Sequence, residues 1–120
     1  GEFLQALVEF ADGALADLHG KDEGSYEAER TAAVWTAASN VLDNRPDQCG
    51  SPAIVDHTQL FCDTLVRDVP RRVHASLLGV LAHLSHADGS VRAFGEARHS
   101  FVPRMLMSVY FLNQSDAAAA

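Results

Sequence analysis

Apolar residues along this chain return every three or four positions and rarely alternate with polar ones. That is the period of a helix face and not of a strand. The first stripe is Leu4, Leu7, Val8, Ala11, Ala14, Leu15 and Leu18, and it stops at the glycine-rich polar stretch "HGKDEGS". Ser25 stands where a helix cap belongs. A second stripe, Ala32, Trp35, Ala38, Val41 and Leu42, follows it and ends before Pro46. "PDQCGSPAIVD" (46–56) predicts a connector with one short turn, in which Cys49 is expected to be exposed. A third helix is predicted roughly over 56–67, with Leu60, Phe61, Thr64 and Leu65 inward. Pro70 breaks it and suits the first position of the next helix. Over 70–87 the apolar residues Val73, Leu77, Leu78, Val80, Leu81 and Leu84 span more than one face. This helix should therefore be covered on two sides. "HADGS" (86–90) reads as a turn, 90–98 as a short helix with Val91 and Phe94 inward, and 101–112 as a last helix with Pro103 in its first turn. The expected fold class is all-α.

Long and short helices in this order call for a search for an internal repeat. "VWTAASNVLDN" (34–44) can be laid on "LLGVLAHLSHA" (77–87) with an offset of 43 residues, and "LFCDTLV" (60–66) on "FVPRMLM" (101–107) with an offset of 41. Both offsets fall in the range of about 40–47 residues found in armadillo and HEAT repeats. On these residues the chain resembles the armadillo family. "SFVPRML" (100–106) is similar to the opening of that family's second helix, "AASNV" (37–41) to the end of its third, and "SVRAFGEA" (90–97) to its first helix with the Glu-Ala that follows. The resemblance implies a short right-handed armadillo-like helical solenoid of about two to three repeats. Each helix there buries one side within its repeat and another against the next, which accounts for the wide apolar arc over 70–87. The domain is expected over 1–116, as a fragment of a longer chain. The four alanines at 117–120 are set apart as a tail or a cloning remnant.

The same resemblance places a partner peptide or helix in a groove between the long helices 26–42 and 70–87. Asn40 matches the asparagine that clamps peptide backbone in family members that bind extended peptides; its counterpart in the next unit is His83. Trp35 lies one residue from the register of the tryptophan those members use. The expected partner-binding set is Trp35, Ser39 and Asn40 on one helix and Gly79, Ala82, His83 and His86 on the other. Trp35 has a competing role as a core residue. Phe10 and Phe111 are expected to be exposed apolar contacts.

Composition narrows the partner. Apolar residues are 48% of the chain and charged residues 21%, enough for a packed core. The net charge of −7 weighs against nucleic acid and against an anionic membrane surface, and favours a basic or apolar protein partner. No apolar run is long enough to span a bilayer. Cys49 and Cys62 match no metal or redox spacing, which points to a reducing compartment, cytoplasmic or nuclear.

Signals for chemistry are weak. His83 and His86, three apart and followed by Asp88, could share a face and bind zinc, but with no nearby Cys ligand and no second pair they are read as histidines at a helix C-terminus, where they meet the dipole favourably. "HADGS" lacks the ligand pattern of a calcium loop. "ADGSVRAFGEA" (87–97) is similar to a segment of the TerB-like helical family, which implies a metal-binding helical bundle, although that family's paired acidic residues are mostly missing. Neither cysteine is assigned as a nucleophile. Arg67, Arg71, Arg72 and Arg104 form the main basic cluster, either a solvated turn or a contact for an acidic strip. No catalytic residue, metal ligand or cofactor is assigned, and the chain reads as a non-enzymatic interaction module. The alternative is a self-assembling module that forms a homo-oligomer through apolar end helices, with Phe3, Leu4, Leu7, Met105, Val109, Tyr110 and Leu112 as the assembly residues.

Overall fold

A computed structural model describes residues 2–85, apart from the side chains of Thr58, Cys62 and Ser85. The first stripe folds as helix α1 (Glu2–Ala14), tightened into a 3₁₀ turn over Leu15–Leu18. Leu4, Val8, Ala11, Leu15 and Leu18 recur at alternating spacings of four and three, and all are buried. Gly20 then turns the chain with φ of +70°, a left-handed conformation that a side chain would strain. Its amide donates to the Asp68 carbonyl at 3.2 Å.

Helix α2 (Tyr26–Asn44) starts where the sequence predicts. The Ser25 hydroxyl accepts from the Ala28 amide at 3.2 Å, and Glu27 and Glu29 lie in the first turn, next to the positive end of the helix dipole. Its buried face is Ala28, Thr31, Ala32, Trp35, Ala38 and Leu42. Small residues let neighbouring helices approach closely, and Trp35 fills the middle. The helix ends as Asn44 Nδ2 donates to the Asn40 carbonyl at 2.9 Å and Arg45, before Pro46, leaves the helical conformation.

The connector carries two turns, not one. A 3₁₀ turn, Pro46–Gly50, packs on α2, and a single helical turn, α3 (Pro52–Val55), packs on α1. Cys49, expected to be exposed, is buried at 2% of its surface, because the 3₁₀ turn folds it inward against the helices. Helix α4 (Thr58–Val66) places Leu60, Phe61, Thr64 and Leu65 inside, the four inward positions read from the sequence. Helix α5 (Arg71–Ser85) follows Pro70, whose carbonyl accepts from Val73 at 3.0 Å.

Helix α2 is the centre of the described fold. It makes its most extensive contacts with α5 and packs against α1 as well. Trp35 meets Phe61 edge to face, with ring centroids 5.7 Å apart. Every regular element among the described residues is helical, so this part of the chain is all-α. No described helix is long and apolar enough to cross a membrane. The turn at Asp88 and Gly89 and the helices expected over 90–98 and 101–112 lie outside the described residues, as do His86, Met105, Val109, Tyr110, Phe111 and Leu112.

Candidate binding cleft

The long helices α2 and α5 meet where a groove was expected. A Cβ built on Gly79 would sit 3.6 Å from Ser39 Oγ, ordinary van der Waals contact, so the two positions face each other across a packed crossing. Trp35 is fully buried, and its indole offers no surface to a partner. Of the two roles weighed for it, the structure places it in the core. Ser39, Gly79 and His83 are half-buried, and Asn40 and Ala82 are exposed. These residues line the outer edge of a helix contact. Of the expected assembly residues, Phe3 is exposed at 63%, Leu7 is half-buried against the core, and Leu4 is buried within it. Leu4 therefore holds α1 to its own fold.

An open concavity lies between α1 and α2. It encloses about 440 Å³ and is lined by residues of both helices and of the 3₁₀ turn between them. Phe10 and Tyr26 supply its rings, and Gly13 and Ala14 its small floor. Phe10, expected to be exposed, is so at 37%, and Tyr26 at 66%. The Arg30 guanidinium lies over both rings, 4.7 Å from the Phe10 centroid and 5.2 Å from that of Tyr26. Tyr26 and Arg30 meet because they are four apart on α2. Phe10 reaches them because it stands off the buried stripe of α1.

Three carboxylates share the cleft with this one guanidinium: Glu9, Asp17 and Glu27. Glu9 accepts a hydrogen bond from Gln5 at 2.8 Å, and Glu27 lies 3.8 Å from Lys21 Nζ, an exposed pair of small value. The Asp17 carboxylate makes no hydrogen bond or ion pair among the described residues. Neither does Arg30 pair with a carboxylate there. The Thr31 side chain, 1% exposed, lines the same cleft, and its hydroxyl has no partner among the described residues.

Cys49, Glu23 and His74 are titratable groups that are buried or used within the fold. Burial, and then the charge of Asp47, push the Cys49 thiol up from its ordinary range, so it stays protonated and unreactive at neutral pH. The basic cluster near Pro70 has an internal use. The Glu23 carboxylate accepts from the backbone amides of Arg71 and Arg72, the latter at 3.1 Å, and Arg72 Nη1 donates to the Glu23 carbonyl at 3.1 Å. A side chain from the loop before α2 thus caps α5. His74 is buried behind this cap, its Nε2 donating to the Thr64 carbonyl at 2.9 Å. Among the described residues no three His, Cys, Asp or Glu side chains gather as a metal-holding group.

Sequence reading missed Tyr26, Arg30, Glu23 and His74. The four-residue step from Tyr26 to Arg30 was visible, but nothing local told that Phe10 would lie against it. No protein-family model, curated protein or solved structure matches this chain.

Proposed function

We propose that this chain is a non-enzymatic protein-interaction module that docks a peptide or helix of a partner protein on the surface of its long helix α2. The observation that carries this reading is the α1–α2 cleft, where two exposed rings flank an arginine over an open concavity. Exposed aromatic and arginine side chains gathered in a pocket are the usual anchors of protein recognition. The docking position differs from a groove between α2 and α5, because these helices pack directly on each other and Trp35 is buried in the core. Asn40, Ala82 and His83 stand at the outer edge of that contact.

The same reading takes α2 and α5 as the long helices of successive units in a short right-handed armadillo-like solenoid. Their extensive direct packing and the 43-residue offset between their sequences support it.

Photo-crosslinking tests the docking position. A crosslinkable residue at Phe10 is expected to form a discrete adduct with a partner, and the same residue at Asn40 is not. The adduct should disappear when Tyr26→Ala is added. Equal capture at both positions, or an adduct indifferent to Tyr26, would overturn the cleft as the docking site.

A further inference from the structure

We propose that the cleft takes a basic side chain, an arginine or lysine of a partner peptide, on the ring faces where its own Arg30 now lies. This inference rests on the docking reading and names the chemistry of the occupant. The first ground is charge. Glu9, Asp17 and Glu27 outnumber Arg30 around the cleft, and the Asp17 carboxylate has no partner among the described residues. The second ground is the ring pair itself. A guanidinium already rests at 4.7 and 5.2 Å from the two centroids, so Phe10 and Tyr26 are set to hold a planar cation through their negative faces. Arg30 forms no ion pair among the described residues, so a competing cation breaks none in taking its place. The third ground is room. About 440 Å³ over a floor of Gly13 and Ala14 admits a long side chain lying along α1. The chain's net charge of −7 steers a basic segment toward it.

An incoming guanidinium would displace Arg30 outward, stack on Tyr26 and Phe10, and pair with Asp17. Arg30 is thus a placeholder that competes with the ligand. An acidic ligand would instead need Arg30 as its reader and would meet three carboxylates on the way in.

The probe is a short fluorescent peptide in which arginine alternates with small residues, read by anisotropy at low and at physiological salt. Controls are the same peptide with glutamate in place of arginine, and an uncharged amphipathic peptide. The arginine peptide is expected to bind and to weaken with salt. Tyr26→Ala should weaken it about three- to tenfold by removing one ring. Asp17→Asn should weaken it roughly two- to fivefold. Arg30→Ala should tighten it about threefold by vacating the rings. All three side chains are exposed, and circular dichroism checks that each variant stays folded.

Loss of binding in Arg30→Ala, or preference for the glutamate peptide, would overturn the proposal and make Arg30 the reader of an anion. Binding of the arginine peptide that ignores Tyr26 and Asp17 would overturn it too, since the peptide then sits elsewhere. If the uncharged peptide alone binds and loses affinity in Tyr26→Ala, the basic occupant is refuted while the docking reading stands.

Discussion

His74 is a titratable ring in the interior. It is 8% exposed, and burial lowers its pKa from 6.5, outweighing the carbonyls of Thr64 and Arg67 and the charges of Glu23 and Asp68, which pull the other way. In the unfolded chain the ring takes a proton at its ordinary pKa; in the folded chain it resists. The unfolded state therefore binds more protons just below 6.5, and stability falls as pH drops. The stability tied to the neutral ring is complete above 6.5 and is lost progressively as pH falls toward the lowered folded value. Urea unfolding at a series of pH values from neutral to mildly acidic should show this decline, and His74→Gln, which can still donate to Thr64, should flatten it. An unchanged slope in the variant would place the pH response on other groups.

Helix α5 shows how far an element can be read before its neighbours are known. Its apolar arc over Val73, Leu77, Leu78, Val80, Leu81 and Leu84 is legible as a helix covered on more than one side; five of the six are buried, and Leu78 is half-buried against the core. Ser25 is legible as a cap because the signal is local. Inward positions on α4 are legible for the same reason. Contacts between distant segments are not. Nothing in the local pattern sends Cys49 inside, sets Gly79 against Ser39, or lays Arg30 on Phe10, because each depends on how two elements dock. Periodicity predicts both long helices but not how closely α2 and α5 pack or which of their faces meet. Gly79 also makes a test at the scale of its helix. A Cβ there meets Ser39 Oγ at 3.6 Å without a clash, and glycine inside a helix is about 1 kcal/mol less favourable than alanine. Gly79→Ala should raise stability by roughly 0.5–1 kcal/mol in chemical denaturation. A loss of stability would mean that α2 and α5 need a closer approach than this crossing.

Across the whole molecule, the two halves of the described chain are tied by a polar latch as well as by the core. The core joins α1, α2, α4 and α5 through Leu4, Trp35, Phe61 and Leu77, all fully buried. The latch joins the loop before α2 to the start of α5. Gly20 donates to Asp68, and Glu23 receives the amides of Arg71 and Arg72. A helix start leaves its first amides without partners, and here the cap comes from 48 residues earlier in the chain. Such a cap does two things. It satisfies the amides and places a negative charge at the positive end of the α5 dipole. It also fixes α5 against the loop that precedes α2. Glu23→Ala should therefore cost about 1–2 kcal/mol, in the range of losing a helix cap. Its signature should be local before it is global. Amide exchange at Arg71 and Arg72 is expected to speed up first, with the Trp35 core still protected. Arg72→Ala, which keeps both backbone amides, should cost less than Glu23→Ala. If the two variants cost the same and exchange rises evenly along the chain, the contact is a surface ion pair and the core alone sets the docking of α5.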